Sequence, residues 1–417
     1  MQNKPKVLFV SHDATRTGAP IIFLNLIAWL LGNGHVHGHV LLRNGGEIAS
    51  QFAALCPTFQ VAPYRSRRER IARFLRRRQA DDTPSVPEIS LKRLARYVGK
   101  EVRPDLIYVN TVTNASLMES LAQLGVPIIT HVHELEFLIR HRIGAEQFAI
   151  VNKYTDTYIT VSDAVSRNLA NNWQVDPARI HMVYGFVPED VIHAAQVDRS
   201  AIQEQIRREL GIAPGDFVVG GSGILGWTKG PEHIIQLALY LKQRAHRPVH
   251  VIWVGGHAGA LRVAELQHDI DKTGLTATVH LVGSKPNPLD YFSIFDIFAL
   301  VSREDSFPLV NLEVTMLDVP IICFKNAGGT SEFVANGQGI EVPYLDINEM
   351  ANQLVRLMRN PRELSQLAAR ARERLLQEHT IDAQGTKIAQ IVRDRIHLTA
   401  PTPQTGLATR NAHIIAH

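Results

Sequence analysis

The chain has 417 residues, 45% hydrophobic and 20% charged, which allows two or three fully cored domains and excludes general disorder. Its two cysteines, Cys56 and Cys323, exclude a disulfide scaffold and a four-cysteine metal site and favour a cytosolic chain. The net charge of +4 is uneven: over 65–78, eight arginines against Glu69 hold +7, which leaves −3 for the rest. The pI of about 9.0 therefore marks one local anionic contact rather than wholesale nucleic-acid binding.

Residues 1–12 show no apolar export core, and the longest apolar run, 19–31, is interrupted by Asn25. It is shorter than the ~20 residues that span a membrane and reads as a buried helix. Strands are predicted over 6–11, 39–43, 106–110, 127–132 and 157–161, with helices over 20–31, 91–98, 116–124 and 164–171. The alternation pauses over 187–216 and closes on the turn Ala213-Pro214-Gly215-Asp216. It restarts with strands over 217–222, 250–255, 279–281, 297–301 and 320–324, and helices over 231–244, 260–273, 289–292 and 309–317. Helices over 350–359 and 361–379 follow, then a basic-polar tail. This alternation predicts an α/β chain of two Rossmann-like, doubly wound domains, with ligand where strand C-termini face each other. The expected division is 1–190, 191–378, a closing helix over 379–400 that crosses back to the first domain, and a disordered tail over 401–417.

Four stretches carry candidate chemistry. Thr17-Gly18-Ala19-Pro20 opens a helix after the first strand, where backbone N–H groups and the helix dipole favour an anionic or hydroxyl-rich ligand. A plain βα turn with Pro20 in the first helical turn accounts for the same residues. Gly221-Ser222-Gly223-Ile224-Leu225-Gly226 satisfies G-x-G-x-x-G after a strand, yet Trp227-Thr228-Lys229-Gly230 intervene before the helix. The next strand ends in Gly-Gly-His without a carboxylate, so a nicotinamide dinucleotide is excluded on context. A lysine in such a loop suits a diphosphate leaving group instead.

The segment Ser302-Arg303-Glu304-Asp305-Ser306-Phe307-Pro308-Leu309-Val310-Asn311-Leu312-Glu313 joins a carboxylate loop to an apolar helix. Burying Glu313 costs several kcal/mol unless it is paired, and ligand hydroxyls such as a ribose diol would pair it. A solvent-facing glutamate is the plainer alternative. Ala327-Gly328-Gly329-Thr330-Ser331-Glu332 is a second glycine turn before a helix. His131 and His133 end a strand on one face, a conceivable metal pair for which no third ligand is apparent.

Asp305 and Glu313, in this setting and followed by Val319-Pro320-Ile321-Ile322-Cys323-Phe324 and the G-G-x-x-E turn, resemble the E-x₇-E region of family 4 glycosyltransferases. Lys229-Gly230, the strand ending in His133, Val161-Ser162 and Thr17-Gly18-Ala19-Pro20 resemble that family's other motifs, in the same order. The resemblance implies the GT-B fold and retaining transfer of a sugar from a nucleotide-sugar, with no metal and no cofactor. It implies that Glu313 holds the ribose and that the backbone of Leu309 and Val310 meets the distal phosphate. Asp305 or its neighbour Glu304 would contact sugar hydroxyls, Lys229 the diphosphate, and His133 the sugar from the first domain. Gly18, Ala19, Ser222, Ser306 and Phe307 would line the donor, and Gly283 would approach the base. A front-face mechanism, in which the departing phosphate takes the acceptor proton, needs no dedicated base. The family often places an arginine where this chain has Gly223, which leaves Arg16 or Arg303 as candidate replacements.

The arginines Arg65, Arg67, Arg68, Arg70, Arg73, Arg76, Arg77 and Arg78 fall in the first, acceptor-side domain, with Ile71, Phe74 and Leu75 on one helical face. That pattern suits an anionic membrane surface or a lipid-diphosphate acceptor, and a solvated surface helix is the plainer account. The expected partners are a nucleotide-sugar, a glycan or lipid-linked acceptor and an anionic membrane, with a cytoplasmic location on the membrane's inner face. Nucleic acid is disfavoured, because only Tyr64 and Phe74 offer stacking surfaces near the arginines. Epimerase-like nucleotide-sugar chemistry and a catalytically weak binding protein are the alternatives.

Overall fold

The computed structural model describes residues 4–62, 86–256 and 259–399. The arginine segment and the tail over 401–417 lie outside the described residues.

The first sheet is built from β1 (Lys6–Ser11), β2 (His37–Leu42), β3 (Thr58–Val61), β4 (Glu88–Ile89), β5 (Leu106–Asn110), β6 (Ile128–Val132), β7 (Thr157–Thr160) and β8 (Ile180–Met182). All are parallel, in the order β4-β3-β2-β1-β5-β6-β7-β8. Helices cover both faces, which is why Val7, Leu8, Phe9 and Val10 are all fully buried and the strand reads as an unbroken apolar run. The second sheet uses β9 (Phe217–Ser222), β10 (Val249–Val254), β11 (Val279–Gly283), β12 (Ile297–Leu300), β13 (Ile321–Phe324) and β14 (Ile340–Val342). It is also parallel, in the order β11-β10-β9-β12-β13-β14.

Each sheet reverses its winding at one point, between β1 and β5 in the first and between β9 and β12 in the second. A crevice opens at such points beyond the strand C-termini. The loops that leave β1, β9 and β12 there are those that begin at His12, Gly223 and Val301, so topology alone gathers the sequence motifs.

The chain crosses between domains near Val187 and returns at His379. Val187 N–H donates to His379 O at 3.0 Å, and Ile381 N–H to Val187 O at 2.9 Å. The helix Ile381–Thr399 then lies on the helix Gly18–Gly32 of the first domain. Its Ile381, Ile388, Ala389 and Val392 join the core of Phe9 and Phe23, and Trp29 Nε1 donates to Asp382.

The predicted pause over 187–216 holds two helices, Glu189–Ala194 and Ser200–Glu209. The predicted helix over 91–98 is three short turns of different pitch, Leu91–Arg93, Leu94–Tyr97 and Val98–Val102, with Gly99 inside and Arg103 left-handed at the end. The edge strands β4, β8 and β14, and β3 next to β4, two to four residues each, carried no prediction.

Candidate active site

The second-domain wall begins in the loop after β9. Gly223 has φ +139°, and a β-carbon on neighbouring Gly255 would lie 2.2 Å from its carbonyl oxygen, so two backbones pass where side chains cannot. The loop closes with the tight turn Trp227–Lys229, and the helix starts only at Glu232, later than a dinucleotide fingerprint requires. The Lys229 stem packs over Gly223, where a β-carbon would lie 3.1 Å from Lys229 Cγ. Lys229 Nζ pairs with Asp305 Oδ2, and Ser302 Oγ donates to the same oxygen at 3.3 Å. The glycine turn Gly328-Gly329 passes directly beneath, since a β-carbon on Gly328 would sit 1.8 Å from Asp305 O.

Glu313 lies in the helix Leu309–Met316, whose N-cap, Pro308, offers no side-chain cap to the first N–H groups. Its carboxyl has no hydrogen bond or ion pair among the described residues, and burial pushes its pKa from 4.5 up to about 7. The unpaired acid anticipated from sequence is present, in a half-buried residue.

The first-domain wall is imidazole-rich. His131 and His133 stack with ring centroids 4.4 Å apart, on one face as their spacing implied. Burial holds His131 down to about 3, and burial together with His131 and His12 holds His133 well below its usual range. His133 Nε2 meets Asn110 Oδ1 at 2.9 Å, and Asn110 Nδ2 donates to Ala19 O at 3.2 Å. Glu134, its pKa pushed up to about 7 by burial, accepts from His133 N–H at 3.0 Å and Val112 N–H at 3.4 Å. Among the described residues no group of three or more His, Cys, Asp or Glu side chains is placed to hold a metal ion.

Several predicted site residues join the two walls. A β-carbon on Gly18 would lie 3.9 Å from Leu309 Cδ1, which brings the N-termini of the helices Gly18–Gly32 and Leu309–Met316 close together. Ser306 Oγ donates to His133 O across the cleft at 2.7 Å. Glu304 accepts from Phe137 N–H of the first domain, at 3.0 and 3.2 Å to its two oxygens, and burial raises its pKa. Between the two acids left open by the sequence, Asp305 is the one paired with Lys229, and Glu304 is occupied between domains. The Phe307 ring is buried against His379, 5.2 Å away, and Tyr184, 5.9 Å away, in the interdomain core. Ser222 ends β9 beside Val254, and Gly283, φ +71°, ends β11 with open space beyond its α-carbon.

Arg303 is bound to Glu232 at 2.6 Å and lies 5.1 Å over the Trp227 ring, and Arg16 is exposed. Three contacts were not anticipated. Glu332 accepts from Asp163 N–H at 2.9 Å and Ala164 N–H at 2.8 Å, capping a helix of the opposite domain. Trp227 packs, tilted, on Phe137 of the first domain, with ring centroids 4.4 Å apart. Asn110, a polar end to the strand Leu-Ile-Tyr-Val-Asn, was the one missed residue with a local signal.

Two facing parallel-sheet domains, with their switch points across a cleft, define the GT-B architecture. The Glycosyltransferase Family 4 model matches residues 18–191, and the Glycosyl transferases group 1 model matches residues 202–374. Between them they account for most of the chain, which belongs to this glycosyltransferase family. The D-inositol 3-phosphate glycosyltransferase of Rhodococcus erythropolis is 29% identical over 233 residues, 52% of this chain and 52% of that protein. The alpha-D-kanosaminyltransferase of Streptomyces kanamyceticus is 23% identical over 286 residues, 65% of this chain and 71% of that protein. The chain spans about half the length of the inositol-phosphate enzymes it matches. Among solved structures, Anabaena HepE in complex with UDP-glucose superposes with a TM-score of 0.75 at 20% identity, covering 94% of this chain and 100% of that one. WaaG, a glycosyltransferase involved in lipopolysaccharide biosynthesis, gives 0.68 at 14% identity, covering 93% and 99%. At these identities the likeness establishes the fold.

Proposed function

We propose that the chain transfers a sugar, with retained anomeric configuration, from a nucleotide-sugar to a glycan or lipid-linked acceptor. The observation that carries this reading is Glu313, a half-buried carboxyl without a partner among the described residues, on the helix that follows β12. A ribose diol donates two hydrogens to one carboxylate and would supply the missing partners. The diphosphate then lies at the N-terminus of the helix Leu309–Met316, where Leu309 and Val310 present backbone N–H groups and the helix dipole. In this reading Lys229 exchanges its Asp305 partner for the phosphate as charge develops there, which frees Asp305 for sugar hydroxyls. Departure of the diphosphate beside the incoming hydroxyl lets phosphate take the acceptor proton, so no side chain needs to act as base. HepE's complex with UDP-glucose makes a uridine diphosphate sugar the first donor to try.

The eight arginines and the inositol-phosphate relatives favour an anionic acceptor, lipid-linked or at a membrane surface, with the enzyme peripheral on the cytoplasmic face. No helix among the described residues is long and apolar enough to cross a membrane. Calorimetric titration with UDP tests the donor assignment: Glu313→Ala is expected to weaken binding at least tenfold, and unchanged affinity would remove the ribose role.

A further inference from the structure

The hydrogen bonds around Asn110 determine which nitrogen of His133 carries the proton. Asn110 ends β5 and is fully buried. Its Nδ2 donates to the carbonyl of Ala19 at 3.2 Å, and a carbonyl only accepts, so the amide nitrogen is held on that side. Oδ1 is therefore the atom 2.9 Å from His133 Nε2. It too only accepts, so Nε2 bears the hydrogen and Nδ1 of the neutral ring keeps a lone pair. Burial first, and then the neighbouring His131 and His12, keep that ring neutral. His131 stacks on it, with its own Nδ1 on the Tyr108 hydroxyl at 3.0 Å, and His12 lies near, 3.4 Å from Asp13. Glu134 is spent on the His133 backbone N–H, and Ser306 on its carbonyl. Among the described residues His133 Nδ1 has no protein partner, and it is not one of the sealed orphan nitrogens, which here are His131 Nε2 and His12 Nδ1.

We propose that Asn110 is a positioning residue that fixes His133 as a hydrogen-bond acceptor toward the cleft, so that the bound sugar must present a hydroxyl at this contact. A carbonyl, carboxylate or phosphate oxygen there would meet lone pair with lone pair. The specificity half of this inference rests on the nucleotide-sugar reading above; the tautomer half does not. The donor class it selects is a sugar that keeps the hydroxyl on the carbon facing His133.

Two measurements on the full chain test the proposal. Nitrogen-15 spectra of the imidazoles, with His133 assigned by a His133→Gln control, are expected to show a protonated Nε2 and a bare Nδ1 at neutral pH. In Asn110→Asp the carboxylate supports the charged ring and both nitrogens become protonated, while Asn110→Ala gives a tautomer mixture. A protonated Nδ1 in the native chain overturns the proposal. The second measurement compares UDP-glucose with analogues in which the 2-, 3-, 4- or 6-hydroxyl is fluorine, an acceptor that donates no hydrogen. One analogue is expected to bind on the order of 10- to 100-fold more weakly than UDP-glucose, with the penalty shrinking in Asn110→Asp. Equal penalties in the native chain and the folded variant overturn the specificity half. If UDP-glucose itself does not bind, the donor assignment has failed, and the nitrogen spectra still decide the tautomer.

Discussion

Replacing Glu313 by glutamine separates stability from binding in opposite directions. The folded carboxyl has a pKa of about 7 against an ordinary 4.5, so the folded state keeps a proton that the unfolded chain has already lost. Its favourable contribution is whole below about 4.5 and is lost as pH rises through about 7. That difference, at ~1.4 kcal/mol per tenfold change in proton affinity, gives about 3.5 kcal/mol of strain in the ionised, unliganded state. Glutamine keeps the shape without the charge. The stability difference between Glu313→Gln and the native chain is therefore expected to grow in the variant's favour by roughly 3.5 kcal/mol from acid to mildly alkaline pH. The same substitution removes an ionised acceptor, so UDP binding weakens. In the native chain ribose hydroxyls draw the carboxyl back into its ionised form, and UDP binding at pH 7 releases a fraction of a proton. Urea titrations across the pH range, and calorimetry in buffers of different ionisation enthalpy, measure both effects. A pH-independent stability difference, or binding with no proton release, would refute the argument that this carboxyl is desolvated and awaits a ligand.

Lys229→Ala is expected to lower kcat on the order of 100- to 1,000-fold, as for loss of one charge-stabilising donor, and Lys229→Arg should rescue little because Gly223 accommodates only the narrow lysine stem. Steady-state kinetics with the accepted donor check both. Glu332→Ala removes two bonds that cap a helix of the opposite domain and should cost about 1 kcal/mol, with a larger radius of gyration in small-angle scattering. Restoring the family's arginine by Gly223→Arg should lower Tm without raising activity, because φ +139° is strained for any side chain. Substituting the eight arginines by glutamine should abolish sedimentation with anionic vesicles at low salt while leaving UDP affinity unchanged.

Core strands were legible because both faces of a parallel sheet are covered. Leu106–Asn110 and Phe217–Ser222 were read with the observed bounds, since a buried strand is a continuous apolar run. The two-residue β4 and the mixed β14 sit at sheet edges, where that signal thins. Within the candidate site, Lys229, Asp305, Glu313 and His133 could be singled out because each belongs to a local strand-loop-helix unit. The roles of Glu304 and Glu332 were not. Their partners lie 167 and 169 residues away, and only domain docking brings the helix N-termini to them. The packing of Phe307 on His379 was hidden for the same reason, since only interdomain docking brings the two rings together.

The most direct test of the central claim is a mass-spectrometric panel of nucleotide-sugars incubated with the purified chain and anionic or glycan acceptors. One donor is predicted to be consumed, releasing its nucleoside diphosphate and placing the sugar on an acceptor, with Lys229→Ala and Glu313→Gln strongly impaired. A panel in which no donor is turned over, or in which the sugar is only isomerised on its nucleotide, would contradict glycosyl transfer as the work of this cleft.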